Sequence, residues 1–328
     1  MPDLGAADSD EVCGEEKMSM RTKLFVTGLC ASVMASACWV MTASAQTGSG
    51  ALHWTLHLNE TRGPIRTADA SAPKGKDAVS EILGGPTSGS DNAYLIYTRM
   101  PSGSHGPALF TLPVDDYYVV LSGKMNVQIG TDKFVAGPLT GVVIPAHTPH
   151  EVWNAGAEPE AHLEVISSAY PDKDLSRNLM SMLKPAKPEK VANAAQYIRE
   201  IQVPAAADLK PGLNRQTYTN RAKGSPITVA LDSTSPGSGG PKSHVHRFEQ
   251  VYFMVDGETT VMYGLENPKA KKNDIVIIPA GVVHTNNNQS SAIERHITLL
   301  LPEPEKEPFD IEFQMKGAAG PAGAAPTP

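Results

Sequence analysis

The sequence predicts an all-β chain in which one structural unit occurs twice. Glycine and proline are abundant, with 28 and 27 of 328 residues, which is typical of a chain with many turns. Short runs of β-branched and aromatic residues, broken by glycine, occur along the chain and are typical of strands. A series of motifs also recurs at a constant spacing of 134 residues. Such a fixed period indicates two copies of one fold.

Composition and charge narrow the class of protein. A length of 328 residues fits two domains, and 41% hydrophobic with 19% charged residues is enough for a packed core. The net charge is −7 and no basic block is present, which argues against a nucleic-acid binder that works by neutralising phosphates. The cysteines, Cys13, Cys30 and Cys38, all lie near the N-terminus. The body of the chain therefore offers no disulfide framework and no thiolate site.

The N-terminal region has the pattern of an export signal. Residues 24–41 carry no charge and follow the basic residues Arg21 and Lys23. The tripeptide Ala-Ser-Ala at 43–45 supplies the small residues of a cleavage site. We predict a signal peptide over 1–45. A membrane anchor is the alternative, because the apolar stretch is at the lower length limit for spanning a bilayer.

The first residues do not fit the leading end of such a signal. Residues 1–16 are acidic and contain no Lys or Arg, whereas a signal begins with a basic region. We therefore predict that translation starts at Met18 or Met20. After cleavage the protein is expected in the periplasm or outside the cell, without a membrane partner.

The repeat defines two domains. The run Val-Val-Ile-Pro-Ala at 142–146 recurs as Val-Ile-Ile-Pro-Ala at 276–280. Further matching pairs are Tyr118 and Tyr252, Gly123 and Gly257, Gly130 and Gly264, His150 and His284, Asn154 and Asn288, and His162 and His296. We expect an N-terminal domain over 51–172 and a C-terminal domain over 204–315.

The segments outside the two copies have a different character. Residues 174–183 and 190–201 have helical spacing and flank a proline-containing stretch, which predicts a short helical connector over 173–203. The end of the chain, 316–328, consists almost entirely of glycine, alanine and proline. Such low complexity predicts a disordered tail.

The second copy contains a candidate metal site. His244 and His246 are two residues apart and Gln250 follows at an even spacing, so a regular strand would present all three on one face. His284 follows a Pro-Ala-Gly turn. Imidazole nitrogen suits zinc, iron, nickel, copper and manganese, and a glutamine can add a neutral oxygen.

These motifs resemble those of the cupin superfamily. The first cupin motif is matched by Gly240, His244-Val245-His246, Gln250 and Gly257. The second, Pro-x-Gly, two residues, His, three residues, Asn, is matched in full by 279–288. Because the pattern extends over both copies, the chain resembles a bicupin. The resemblance implies two tandem double-stranded β-helix (jelly-roll) barrels with a divalent transition metal, Fe, Mn, Ni, Cu or Zn, inside the second.

One position departs from the family pattern. The family's acid is replaced by Gln250, and its neighbour Glu249 is the alternative ligand. Adjacent strand residues face opposite sides, so only one of the two can enter the barrel. The even spacing from His246 favours Gln250, as in a subset of cupins that includes uronate-processing members. A ligand set without a carboxylate leaves the ion its full charge and strengthens its Lewis acidity.

The first copy has lost the metal motif. The positions that correspond to the four candidate ligands hold Phe110, Leu112, Asp116 and His150. One imidazole and one carboxylate are too few for a closed metal site. We expect a degenerate pocket without metal.

Three functions fit these observations. We place first a dioxygenase that resembles the quercetin-type bicupins and acts on a small organic molecule. The first alternative is a redox-neutral isomerase or lyase of a sugar acid or uronate, which the glutamine ligand favours. The second is a non-catalytic binding or storage cupin, which the degenerate first copy favours. The expected partner is a small-molecule substrate, and a homo-oligomer is possible for this fold; the pattern names no catalytic residue.

Overall fold

The computed structural model describes residues 54–59, 61, 63–167, 175–305 and 310–312. All of them belong to one compact unit, Val40–Pro328. The predicted signal peptide over 1–45 and the predicted disordered tail over 316–328 lie outside the described residues. Within the described ranges, no helix has both the length and the apolar character needed to cross a membrane.

The first repeat forms two facing sheets. The strands in this part of the chain are β1 (Trp54–Leu58), β2 (Ile65–Thr67), β3 (Ala78–Gly84), β4 (Ala93–Met100), β5 (Phe110–Thr111), β6 (Asp115–Ser122), β7 (Met125–Ile129), β8 (Asp132–Ala136), β9 (Gly141–Ile144), β10 (His150–Trp153) and β11 (Glu160–Ser167), and all but β2 belong to these two sheets. The connector contributes the short strands β12 (Lys184–Pro185) and β13 (Ile198–Arg199). The larger sheet has the order β1-β3-β4-β11-β6-β9-β13, and the smaller one has the order β12-β5-β10-β7-β8.

The second repeat has the same arrangement. Its strands are β14 (Leu213–Thr219), β15 (Thr228–Thr234), β16 (His244–Val245), β17 (Glu249–Asp256), β18 (Glu258–Tyr263), β19 (Lys269–Lys271), β20 (Asp274–Ile278), β21 (His284–Asn287), β22 (Glu294–Leu301) and β23 (Ile311–Glu312). The two sheets have the orders β14-β15-β22-β17-β20-β2 and β19-β18-β21-β16-β23. Strands β3 to β11 thus recur as β14 to β22 about 134 residues later, as the sequence repeat predicts.

The turns of the repeat explain two of the shared glycines. Gly123 follows β6 and Gly257 joins β17 to β18, with φ of +72° and +71°. This left-handed region is strained for residues with a side chain. A Cβ atom at either position would also collide with the carbonyl oxygen of Pro159 or Ile293. Both repeats therefore need glycine at this turn.

The largest hydrophobic core lies between the two barrels. The large sheet of each repeat contributes to it, and Tyr97 of β4 stacks on Phe253 of β17 with ring centroids 5.9 Å apart. Every residue of β4 and of β15 is buried. One face of each strand lines a barrel and the other lines the shared core, so neither face meets water.

Two short segments cross the predicted domain boundaries. Strand β2 lies inside the range 51–172 but pairs with β20, so it forms the edge of the second barrel's large sheet. Strands β12 and β13 lie inside the predicted connector but extend the sheets of the first barrel. These pairings cover the edges of the sheets, which would otherwise expose unpaired backbone groups.

The connector is less helical than its residue spacing predicts. Its helical part is a single α-helical turn, α1 (Leu179–Met182), and a 3₁₀ turn at Ala194–Tyr197. Leu179 and Met182 pack into the core of the first barrel, and Ile198 pairs with Val142 of β9. Helices this short gain little from their own hydrogen bonds, so pairing with the exposed sheet edges prevails.

Candidate metal centre

Three strands bring the candidate ligands together inside the second barrel. Strand β16 pairs with β21 so that His244 lies directly opposite His284. Both belong to the smaller sheet, whereas His246 follows the end of β16 and Gln250 is on β17 of the larger sheet. The expectation of one regular strand that carries His244, His246 and Gln250 is therefore wrong, because the chain crosses from one sheet to the other between them. The site therefore lies between the two sheets, where each contributes an inward-facing side chain.

The predicted ligands converge on one point. The ligand nitrogens of His244, His246 and His284 all lie within 4.8 Å of one another. The Gln250 side-chain oxygen Oε1 is 2.7 Å from Nε2 of His246 and 3.1 Å from Nε2 of His284. All four residues are buried, with at most 7% of their surface exposed.

Backbone carbonyls set the orientation of each imidazole. The Nδ1 atoms of His244, His246 and His284 contact the carbonyl oxygens of Lys242, Phe248 and Val282 at 2.8, 2.7 and 2.9 Å. A carbonyl can only accept, so each Nδ1 carries a hydrogen, and in a neutral ring Nε2 is then the lone pair. This is the tautomer that binds a metal through Nε2.

Burial keeps two of these rings neutral. Burial is the main cause that lowers the pKa of His284 to about 3, and the neighbouring His244 and His246 contribute to this shift. Burial also lowers the pKa of His246. Neutral imidazole is the form that ligates metals, so no proton competes for these nitrogens at neutral pH.

The donor set fits a divalent transition metal. The Gln250 amide nitrogen donates to the Tyr252 hydroxyl at 3.0 Å, which turns the amide oxygen toward the histidines. In the neutral rings of His246 and His284, that oxygen and the facing Nε2 atoms are all acceptors. A cation at their common focus would relieve this repulsion, and three imidazoles with one amide oxygen suit a divalent ion.

Glu249, the alternative ligand, lies on the other side of β17. Its carboxylate accepts hydrogen bonds from Ser90 Oγ at 2.5 Å, the Asp91 backbone N–H at 3.1 Å and Asn92 Nδ2 at 3.3 Å. These donors belong to a loop of the first barrel. Burial raises the pKa of Glu249 to about 7. The residue thus joins the two barrels and does not face the histidines.

The corresponding place in the first barrel is filled. The Phe110 ring lies 4.3 Å from the His150 ring, and Leu112 is buried nearby in the same barrel core. His150 contacts the Thr148 carbonyl oxygen at 2.8 Å and Asp116 Oδ2 at 3.0 Å, so both its ring nitrogens have partners. In the described part of the chain, the second barrel holds the one group of three potential ligands close enough to share an ion.

A charged network that sequence reasoning missed lies in the second barrel. Arg215 of β14 donates to both oxygens of the buried Asp232 at 2.8 and 2.7 Å, and Thr298 donates at 2.6 Å. Burial opposes ionisation of Asp232, but these bonds and the charges of Arg215 and His296 outweigh it and lower its pKa. The repeat could not reveal this network, because Thr98 holds the matching position in the first copy.

Comparison with known proteins agrees with the fold and the motifs. The Cupin domain family model matches residues 97–167 and 232–297, one region in each barrel. An uncharacterized protein from Streptomyces coelicolor is 30% identical over 74 residues, which cover 23% of this chain and 67% of that protein. The family assignment expected from the motifs is confirmed: the chain belongs to the cupin superfamily.

Solved structures identify the tandem arrangement. A single-residue variant of Bacillus subtilis oxalate decarboxylase aligns with a TM-score of 0.54 at 13% identity and covers 77% of this chain and 80% of its own. The same enzyme, studied for its Mn(II) centres, aligns with a TM-score of 0.52 at 14% identity over 77% and 80% of the two chains. The protein is a bicupin, with two jelly-roll barrels as predicted. At this identity the likeness extends to the fold alone.

Proposed function

We propose that this protein is an exported, metal-dependent bicupin enzyme that acts on a small organic molecule in its second barrel. The observation that carries the proposal is the convergence of three buried imidazoles and the Gln250 oxygen on one point. The reaction class that we place first is dioxygen-dependent oxidation, as in the quercetin-type bicupin dioxygenases.

The residues around this point favour an anionic oxygen donor as substrate. A bound divalent ion would supply Lewis acidity and, if redox-active, a place where substrate and dioxygen meet. The carbonyl partners of the three Nδ1 atoms hold the rings in place before substrate arrives. Burial excludes water, and the neutral donors do not offset positive charge, so an enolate or deprotonated hydroxyl is attracted.

Two alternatives each have one observation in their favour. The neutral oxygen of Gln250 favours redox-neutral isomerisation or lyase chemistry on a sugar acid or uronate, because it does not reduce the Lewis acidity of a bound ion, which would stabilise an enolate. The lost metal motif of the first barrel, where Phe110 packs against His150, favours a non-catalytic binding or storage protein.

The first experiment measures the metal content of the chain without its predicted signal peptide. The protein is produced without a metal-affinity tag. We expect about one equivalent of Fe, Mn, Ni, Cu or Zn in the parent. His284→Ala should lose it, and His150→Ala, the same change at the matching position of the first barrel, should keep it. A parent that binds no metal after reconstitution, or a His284→Ala variant that keeps it, contradicts the proposed site.

Turnover assays then separate the reaction classes. Oxygen consumption with a panel of flavonols and catechols supports the dioxygenase. Activity of the zinc-loaded protein on uronates without oxygen supports the redox-neutral alternative. Tight binding of metal and ligand without turnover in either assay supports the binding protein.

Export and assembly are also proposals. The basic, apolar and small-residue order before residue 46 supports a periplasmic or secreted protein. Expression of the full chain, cell fractionation and mass spectrometry of the N-terminus test this. An intact N-terminus in the cytosol contradicts it, and light scattering of the same sample tests for a homo-oligomer.

A further inference from the structure

A short C-terminal strand lies beside the candidate metal centre. Strand β23 pairs with β16, with Glu312 opposite His244 and Ile311 opposite Val245. Asp310 precedes this strand, and its Oδ1 atom is 3.7 Å from His244 Nε2. That nitrogen is the one that faces away from the Nδ1 bond to the Lys242 carbonyl. The carboxylate therefore approaches His244 from its metal-facing side.

The charge of Asp310 influences the pKa of residues in the second barrel. Burial is the main influence on the pKa of His246 and of Tyr252, and the Asp310 carboxylate adds a smaller upward effect on each. The same carboxylate also raises the pKa of Arg215 on β14, where burial and Asp232 act more strongly.

The cupin motif itself supplies no carboxylate in this chain, because Gln250 stands at the acid position and Glu249 faces the first barrel. We propose that Asp310 is a further ligand of the metal centre, contributed by the C-terminal segment instead of the cupin motif. This inference rests on the proposed function, since it requires an ion at the histidines.

The separation of the two atoms is compatible with a shared ion. Two atoms that each lie about 2.0–2.2 Å from one ion can be as much as about 4.3 Å apart. The observed 3.7 Å between Asp310 and His244 is within this limit. Addition of a carboxylate to three imidazoles and an amide lowers the charge of the centre by one and favours manganese, which prefers oxygen ligands.

The test is metal binding to the chain without its predicted signal peptide, measured by calorimetry with Mn²⁺ and by the visible spectrum of bound Co²⁺. Asp310→Asn removes the charge with little change in shape. Glu312→Gln is the matched control, because its carboxylate lies two residues away on the same segment and contacts Lys242 at 3.7 Å instead. Asp310→Asn should weaken Mn²⁺ binding by about tenfold or more and change the Co²⁺ spectrum. Glu312→Gln should change neither.

His284→Ala separates the two proposals. If this variant loses metal while Asp310→Asn binds with parental affinity and spectrum, the metal centre stands and the role of Asp310 is refuted. Equal weakening by Asp310→Asn and Glu312→Gln also refutes it, because a general charge effect then suffices. If His284→Ala binds as tightly as the parent, the proposed centre itself is wrong.

Discussion

Replacement of Glu249 by glutamine should remove a pH dependence of stability that the parent protein shows between about pH 5 and 8. The carboxylate is only 4% exposed and joins β17 of the second barrel to Ser90, Asp91 and Asn92 of the first. Burial raises its pKa to about 7 from the ordinary 4.5. Folding therefore favours the protonated form.

The sign and size of the effect follow from this pKa. Glu249 contributes its full stabilisation below pH 4.5, and this is lost as the pH rises through about 7. A pKa difference of one corresponds to 1.36 kcal/mol, so the total is about 3 kcal/mol. About 2.5 kcal/mol of it falls between pH 5 and 8. A glutamine cannot ionise and carries no such dependence.

Urea unfolding at several pH values measures this pH dependence of the unfolding free energy. A chelator is present so that metal binding contributes to none of the curves. Subtracting the Glu249→Gln free energies from those of the parent cancels the titration of all other groups. The difference should fall by about 2.5 kcal/mol from pH 5 to pH 8. The control is Glu258→Gln, an exposed carboxylate beside Lys269. A difference that stays level across this range for Glu249→Gln would show that the buried carboxylate ionises normally and would refute the reasoning.

Three further results are expected. Asp232→Asn should lower the free energy of unfolding, measured in urea, by about 3 kcal/mol, because it leaves the Arg215 charge uncompensated. Since folding lowers the pKa of Asp232, the parent keeps this stability until the pH falls below 3.8. A small loss would mean that solvent replaces the partner. Gly123→Ala and Gly257→Ala should each cost more than about 1 kcal/mol and lower the melting temperature, and a neutral result would contradict the left-handed turns. Mn²⁺ at 100 times its dissociation constant should raise the unfolding free energy of the parent by about 2.7 kcal/mol and leave His284→Ala unchanged.

The sequence was most informative where structure depends on near neighbours along the chain. The 134-residue repeat predicted which strands would match, because the same pattern folds in the same way twice. Within β17 the alternation of faces correctly favoured Gln250 over Glu249, but His244, His246 and Gln250 do not share one strand, so their spacing alone did not place them together. The same rule turns Glu249 away, as the structure shows. The connector was harder to predict, since short helical patterns compete with open sheet edges.

The tertiary structure decided the contacts between residues that are distant in sequence. The exchange of β2 into the second barrel, the bond between Glu249 and the loop at 90–92, and the approach of Asp310 to His244 have no repeat or motif that signals them. Each depends on which sheet edge or buried polar group is still unpaired after both barrels have formed. Periodicity predicts local geometry, but only the assembled fold determines which unsatisfied group a distant segment can reach.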